Sequence, residues 1–161
     1  MMPQATTAGS SVDYRQRITK LQEAMKEFGL DGVVLEPGPA MTYLTGVRWG
    51  RSERTFAMVL TQKGAPAWVL PGFEEMRARE LIQPGQEIRV WQEDESPYQR
   101  VAGILRDRGV SAGRVGIEES VRFFVFDGVR KQAPKLDYAS AQQALKAAGV
   151  DLTQPSGRRG R

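Results

Sequence analysis

The chain reads as an α/β domain of three layers: a mixed, mostly parallel sheet containing one antiparallel hairpin, with helices on both faces. Three observations predict this. Short apolar runs suited to strands alternate with helix-type segments along most of the sequence. Two of those runs, 55–61 and 67–70, are separated only by Gln62-Lys63-Gly64-Ala65-Pro66, a connection too short for anything but an antiparallel return. A length of 161 residues suffices for one domain with a sizeable core and falls short of two ordinary ones.

The elements follow in order. Tyr14, Ile18, Leu21, Met25 and Phe28 recur at helical spacing, with Asp13 placed to cap the start and Gly29 to end it. Val33-Val34-Leu35 is a short apolar run of the kind buried in a sheet, and Glu36-Pro37-Gly38-Pro39 stops it. A helical turn from Ala40 to Leu44 ends at Gly46, and the hairpin runs follow. Pro71-Gly72 breaks the chain before a helix over 73–82. Glu87 to Trp91 alternates like a strand, and Ser96-Pro97 opens a helix that buries Val101, Ile104 and Leu105 and closes at Gly109.

Arg114 to Ile117 is a further strand. The segment 121–129 fits helix or strand by periodicity; its place between two strand-like runs selects helix over its aromatic content. Lys135 to Tyr138 reads as the last strand and Ala139 to Ala148 as the last helix. We divide the chain into a disordered leader over 1–11, a folded domain over 12–148 and a disordered basic tail over 149–161.

Composition narrows the chemistry. The chain is 40% hydrophobic and 26% charged, with both signs interspersed, as in soluble globular proteins. There is no cysteine and no histidine, which excludes disulfides, thiolate or imidazole metal ligands, and Ser-His-Asp or Cys-His nucleophile arrangements. No apolar stretch approaches the roughly 20 residues of a membrane span. The first residues lack the basic and apolar regions of a secretory signal, so a cytoplasmic location is expected. Net charge is +4, concentrated toward a basic end at Arg158, Arg159 and Arg161, and no stripe of basic residues interleaved with aromatics points to nucleic acid.

Nucleotide motifs are absent. Gly46-Val47-Arg48-Trp49-Gly50 is not a dinucleotide fingerprint, and prolines in the turn after the first strand remove N–H groups that a phosphate would need. Glu74-Glu75 and Glu93-Asp94-Glu95 could in principle hold a hard cation, but such runs are usually solvated faces. Of Glu118-Glu119, one sits at a strand's carboxyl end, where open α/β sheets bind ligands; capping a helix or pairing with an arginine is the plainer role. The segment Arg48-Trp49-Gly50-Arg51-Ser52-Glu53-Arg54 combines arginine forks, which can grip a carboxylate through two bonds, with an indole wall. Ordinary exposed loops share that composition.

Several phrases, weak singly, fall in the same order as in one known family. Tyr43-Leu44-Thr45-Gly46 resembles the Y-[LY]-[ST]-G phrase of creatinase and the Xaa-Pro peptidases. Phe28-Gly29-Leu30-Asp31-Gly32 is similar to that family's approach to its first strand. Glu53-Arg54 before a strand, the hairpin at Gly64-Ala65-Pro66 and Val115-Gly116-Ile117-Glu118 continue the order, so the resemblance covers roughly residues 12–140.

The resemblance implies a creatinase/prolidase N-terminal domain, non-catalytic in itself, that serves dimerisation and substrate gating for a Xaa-Pro dipeptidase-like hydrolase. The alternative is a stand-alone interaction module that binds a small carboxylate or peptide; a carboxylate-only enzyme is the least favoured. Members carry a second, pita-bread catalytic domain whose two aspartates, histidine and two glutamates bind a metal pair, usually manganese, cobalt or zinc. The resemblance therefore leaves no cofactor to this chain and implies a truncated form, since after Tyr138-Ala139-Ser140-Ala141 the sequence departs from the family's pattern. Implied partners are a second copy of the chain and the parent's catalytic domain. In creatinase an arginine of this loop reaches a substrate carboxylate across the dimer, and Arg54 matches that position; the equal alternative is that Arg54 pairs with Glu53 or a neighbouring acid on the surface. The family's partnering aromatic is replaced by Ser52, with Trp49 as a substitute. Whether the parent takes dipeptides, longer peptides or creatine is left open.

Overall fold

The computed structural model describes residues 12–150 and 152. The leader expected over 1–11, and the tail at 151 and from 153 onward, lie outside the described residues.

Among the described residues six strands form one sheet: β1 (Gly32–Leu35), β2 (Ala57–Thr61), β3 (Ala67–Pro71), β4 (Glu87–Trp91), β5 (Gly113–Ile117) and β6 (Leu136–Ser140). Their spatial order is β4-β3-β2-β1-β5-β6. The expected hairpin is β2–β3, with Met58 opposite Trp68. Strand β2 also pairs antiparallel with β1, placing Val34 opposite Val59. The β1–β5, β3–β4 and β5–β6 pairs are parallel. Only β2 runs against the rest, so the chain enters β2 at the edge where the other five strands end.

Alternation in the central strands separates two cores. Val33, Leu35, Met58, Leu60, Trp68 and Leu70 face one side. There they meet α1 (Tyr14–Glu27), α2 (Pro39–Thr45), α3 (Glu75–Leu81) and α6 (Gln142–Ala147). Val34, Ala57, Val59, Ala67 and Val69 face the other, packing on α4 (Pro97–Asp107) and, through Val129, on α5 (Phe123–Gln132). Burial on both faces explains why these strands read as continuous apolar runs rather than alternating ones. Close approaches are made by glycines: a Cβ at Gly128 would lie 2.4 Å from the Tyr98 ring, which fixes the contact of α5 with α4.

Three helices end in the same way. After α1, Gly29 donates to the carbonyl of Lys26 and Leu30 to that of Met25; Gly109 and Val110 repeat this after α4, and Gly149 and Val150 after α6. Each glycine has positive φ, and Leu30, Val110 and Val150 are buried. This is the Schellman ending, with an aliphatic residue tucked under the last turn. Gly149 and Val150, placed in the tail on composition, thus complete α6, and Leu152 packs half-buried on the same core. The N-caps are as expected, with Asp13 Oδ1 accepting from Gln16 N at 3.0 Å and Ser96 Oγ from Gln99 N at 3.2 Å.

Candidate functional site at the carboxyl edge of the sheet

Because five strands end at one edge and β2 begins there, six connections converge: 36–38, 46–56, 72–74, 92–96, 118–122 and 141. Both site residues expected from sequence, Trp49 and Arg54, lie in the second of these.

Arg54 faces the turn after β4. Its Nε donates to Glu93 Oε2 at 3.0 Å and its Nη2 to Glu93 Oε1 at 3.1 Å, a side-on, two-bond grip on a carboxylate. Its Nη1 stands 3.7 Å from Glu53 Oε2. The Phe73 ring lies beside the guanidinium, 5.3 Å from ring centre to Cζ. The hydrogen bond from Arg54 is the main cause that holds the Glu93 carboxyl below its ordinary range, and Glu93 in turn raises the guanidinium. The Arg54 side chain is 39% exposed and that of Glu93 68%, so solvent reaches the pair.

The backbone around this pair is tied down separately. Arg54 N donates to Ser52 Oγ at 3.0 Å. The indole N–H of Trp91, the last residue of β4, donates to Thr55 O at 3.0 Å. The Thr55 hydroxyl lies 3.2 Å from that of Tyr98. The 46–56 segment is therefore bonded to the end of β4 and the start of α4, on either side of the turn that bears Glu93, independently of the ion pair.

Trp49 is engaged in packing. Its ring stacks on Phe56 with centroids 4.4 Å apart and an interplanar angle of 23°, and the guanidinium of Arg77 sits over it at 4.4 Å. The structure gives Trp49 and Arg54 separate neighbours. A hollow of about 290 Å³ beside Trp49 is lined by Gly38, Thr42, Arg48 and Gly50. A wider groove of about 730 Å³ lies elsewhere, between α1 and the turns at 64–66 and 83–86.

Residues other than Trp49 and Arg54 hold the edge together. Arg51 donates from Nε to Pro37 O at 2.8 Å, from Nη1 to Ser120 O at 2.7 Å and from Nη2 to Ser120 Oγ at 2.8 Å. Glu118 accepts from the backbone N–H and hydroxyl of Ser120, so it stabilises its own turn. Glu36 is gripped by Arg122 through Nη2 at 2.6 Å and Nε at 3.1 Å, and accepts from Arg122 N at 2.8 Å. The acidic runs do not converge: Glu75 pairs with Arg79, Glu93 with Arg54, and Glu95 with Arg100 and the N–H of Gln92. In the sequence Glu93 stood out only as part of the acidic run 93–95, which carries no sign of Arg54.

The metal pair implied for the parent family does not fit these residues. The sequence has no histidine, and among the described residues no three acidic side chains come together around a point. Also among the described residues, no helix is long and apolar enough to cross a membrane.

Comparison with known proteins agrees with this architecture. Residues 17–148 match the Creatinase/Prolidase N-terminal domain family. An uncharacterized peptidase of Schizosaccharomyces pombe is 30% identical over an alignment of 132 residues that covers 73% of this chain and 28% of that protein. Among solved structures, prolidase from Thermococcus sibiricus superposes with a TM-score of 0.74 at 25% identity, covering 84% of this chain and 36% of that one. Dipeptidase PepE from Mycobacterium ulcerans gives a TM-score of 0.73 at 29% identity, covering 83% of this chain and 35% of that one. The chain spans about a third of the length of these relatives. With its reversed second strand, its two-faced core and its match over 17–148, the chain belongs to the Creatinase/Prolidase N-terminal domain family.

Proposed function

We propose that this chain is the non-catalytic N-terminal domain of a Xaa-Pro dipeptidase-like metallopeptidase, in which it serves dimerisation and substrate gating. The observation that carries the reading is the Arg54 fork, which stands at the carboxyl edge of the sheet and already closes on a carboxylate through two bonds. In the assembled enzyme Arg54 grips the substrate carboxylate, while the metals, such as manganese, cobalt or zinc, belong to the catalytic domain. Phe73, beside Arg54, is 68% exposed and Met76, three residues on, 83%; a second copy or the catalytic domain would cover them. A cytoplasmic location accompanies this reading.

The test is a chimaera in which residues 12–150 replace the matching domain of the Thermococcus sibiricus prolidase. Arg54→Ala should raise KM for a Xaa-Pro dipeptide by about tenfold or more, the loss expected for a charged two-bond contact. An unchanged KM would remove Arg54 from the substrate site. The chain by itself should hydrolyse no such dipeptide, with or without manganese, and should sediment as a dimer.

The same fork supports a second reading, a stand-alone module that binds a small carboxylate or peptide. Carboxylate binding by the chain alone, without self-association, would favour it.

A further inference from the structure

We propose that Glu93 is a displaceable internal ligand of Arg54, a latch that occupies the fork until an incoming carboxylate takes its place. The inference rests on the reading of Arg54 as a carboxylate grip and concerns how that grip is controlled.

Three features point to it. First, Glu93 uses Nε and Nη2, the side-on donors that a ligand carboxylate would need, so the two ligands compete for the same atoms. Second, the latch is solvent-accessible on both sides, and exposed ion pairs are weak enough to exchange. Third, opening it leaves the surrounding backbone intact. The turn bearing Glu93 is closed by Glu95 N to Gln92 O at 2.8 Å, by Gln92 N to Glu95 Oε1 at 2.8 Å and by the Arg100–Glu95 contact at 2.9 Å. The Trp91–Thr55 bond holds that turn against the Arg54 segment. The Glu93 side chain can swing out while Arg54 stays aimed, with Phe73 as an apolar wall for whatever the new carboxylate carries.

Glu53 is the contrast within the site. It stands 3.7 Å from Nη1, its side chain is 88% exposed, and it makes no hydrogen bond to the guanidinium. It contributes charge without occupying the fork.

The experiment follows the Arg54 Nε–H resonance of the 161-residue chain by NMR during titration with glycyl-proline, with glycyl-prolinamide as the probe lacking a carboxylate. Glu93→Gln should bind glycyl-proline up to about fivefold more tightly than the unaltered chain, the range set by an exposed ion pair. Glu53→Gln should bind with a smaller gain, and the amide should leave the resonance unmoved. Equal affinities for the unaltered chain and Glu93→Gln, with binding lost in Arg54→Ala, would overturn the latch and leave the grip standing. Equal gains from Glu53→Gln and Glu93→Gln would reduce the effect to charge and also overturn the latch. No shift of the Arg54 resonance in either the unaltered chain or Glu93→Gln would overturn the latch, while the grip in the assembled enzyme is decided by the KM of the chimaera.

Discussion

The carboxylate of Glu36 is shut away from solvent, and Arg122, a residue from the far half of the sequence, closes over it with two guanidinium nitrogens and its own backbone N–H. Glu36 sits where β1 ends and Arg122 where α5 begins, so the pair ties the central strand to the helix on its other face. Arg122 keeps part of its surface in water, and Phe124 lies against its guanidinium at 4.8 Å.

Arg122→Ala should therefore cost about 3 kcal/mol, the low end for stranding one partner of a buried pair. The double variant Glu36→Gln with Arg122→Met should lose less than Arg122→Ala alone, because no uncompensated charge remains. Urea unfolding of the two variants and the parent chain measures the difference. A larger loss in the double variant would mean that the pair itself, rather than the avoidance of an orphan charge, supplies the stability.

Glu93, Glu95 and Asp127 all have carboxyls held below the ordinary range: Glu93 and Asp127 by side-chain bonds to Arg54 and to Arg130, Glu95 by the N–H of Gln92. A depressed folded-state value means the stabilisation is present above the unfolded-state value and is lost as pH falls through the folded one. The loss thus falls at acid pH, below the usual carboxylate range. In Glu93→Gln the decline of stability on acidification should be shallower than in the parent chain. Thermal melts across that range check it, and identical slopes would show that the Arg54 contact does not persist in solution.

Gly46 and Gly29 both have positive φ, at +78° and +71°, but they differ in surroundings. A Cβ on Gly46 would lie 2.8 Å from the Tyr14 ring, whereas one on Gly29 would meet nothing within 4 Å. Gly29→Ala should cost about 1–2 kcal/mol, from backbone strain alone. Gly46→Ala should cost more, since the ring of Tyr14 must also give way. Equal midpoint shifts in denaturation would refute the steric part.

Val150 is 5% exposed and donates its N–H to Leu145 O at 3.0 Å. Val150→Ala should lower stability by about 1–2 kcal/mol, from two buried methylene equivalents. A chain ending at Ala148 should lose more, with the end of α6 exchanging its amide hydrogens faster than in the parent. Unaltered exchange at Leu145 would show that the helix does not depend on its Schellman ending.

Much of this was legible in advance where the signal is local. The period of α1, the Ser96-Pro97 start of α4 and the short turn of β2–β3 each act within a few residues, and each was read correctly. Segment 121–129 was ambiguous because Phe123 and Phe124 remain exposed while Val125 and Val129 turn inward, leaving only a narrow apolar face to find. Gly149-Val150 repeats the glycine–aliphatic pair seen at 29–30 and 109–110, yet the polar composition after it hid the repeat. The site divides likewise. Trp49 and Arg54 stood out as residue types, but their partners Phe56, Arg77 and Glu93 depend on which strand ends lie side by side. Glu36 and Arg122 carry no periodic signature; the turn prolines beside Glu36 spoke only of a strand's end.

The reversed strand also has a kinetic side. The β1–β2–β3 meander closes between chain neighbours, whereas β5 must reach back from the far half to lie along β1. Loop closure of that span carries the greater entropic cost, and contacts between distant residues form late. In pulse-labelled exchange, amides of Met58–Leu60 should gain protection before those of Val115–Ile117. The loop that carries Arg54 would then take shape before Ser120 arrives to brace it through Arg51. An interrupted folding event would leave a three-stranded intermediate with its β1 edge open.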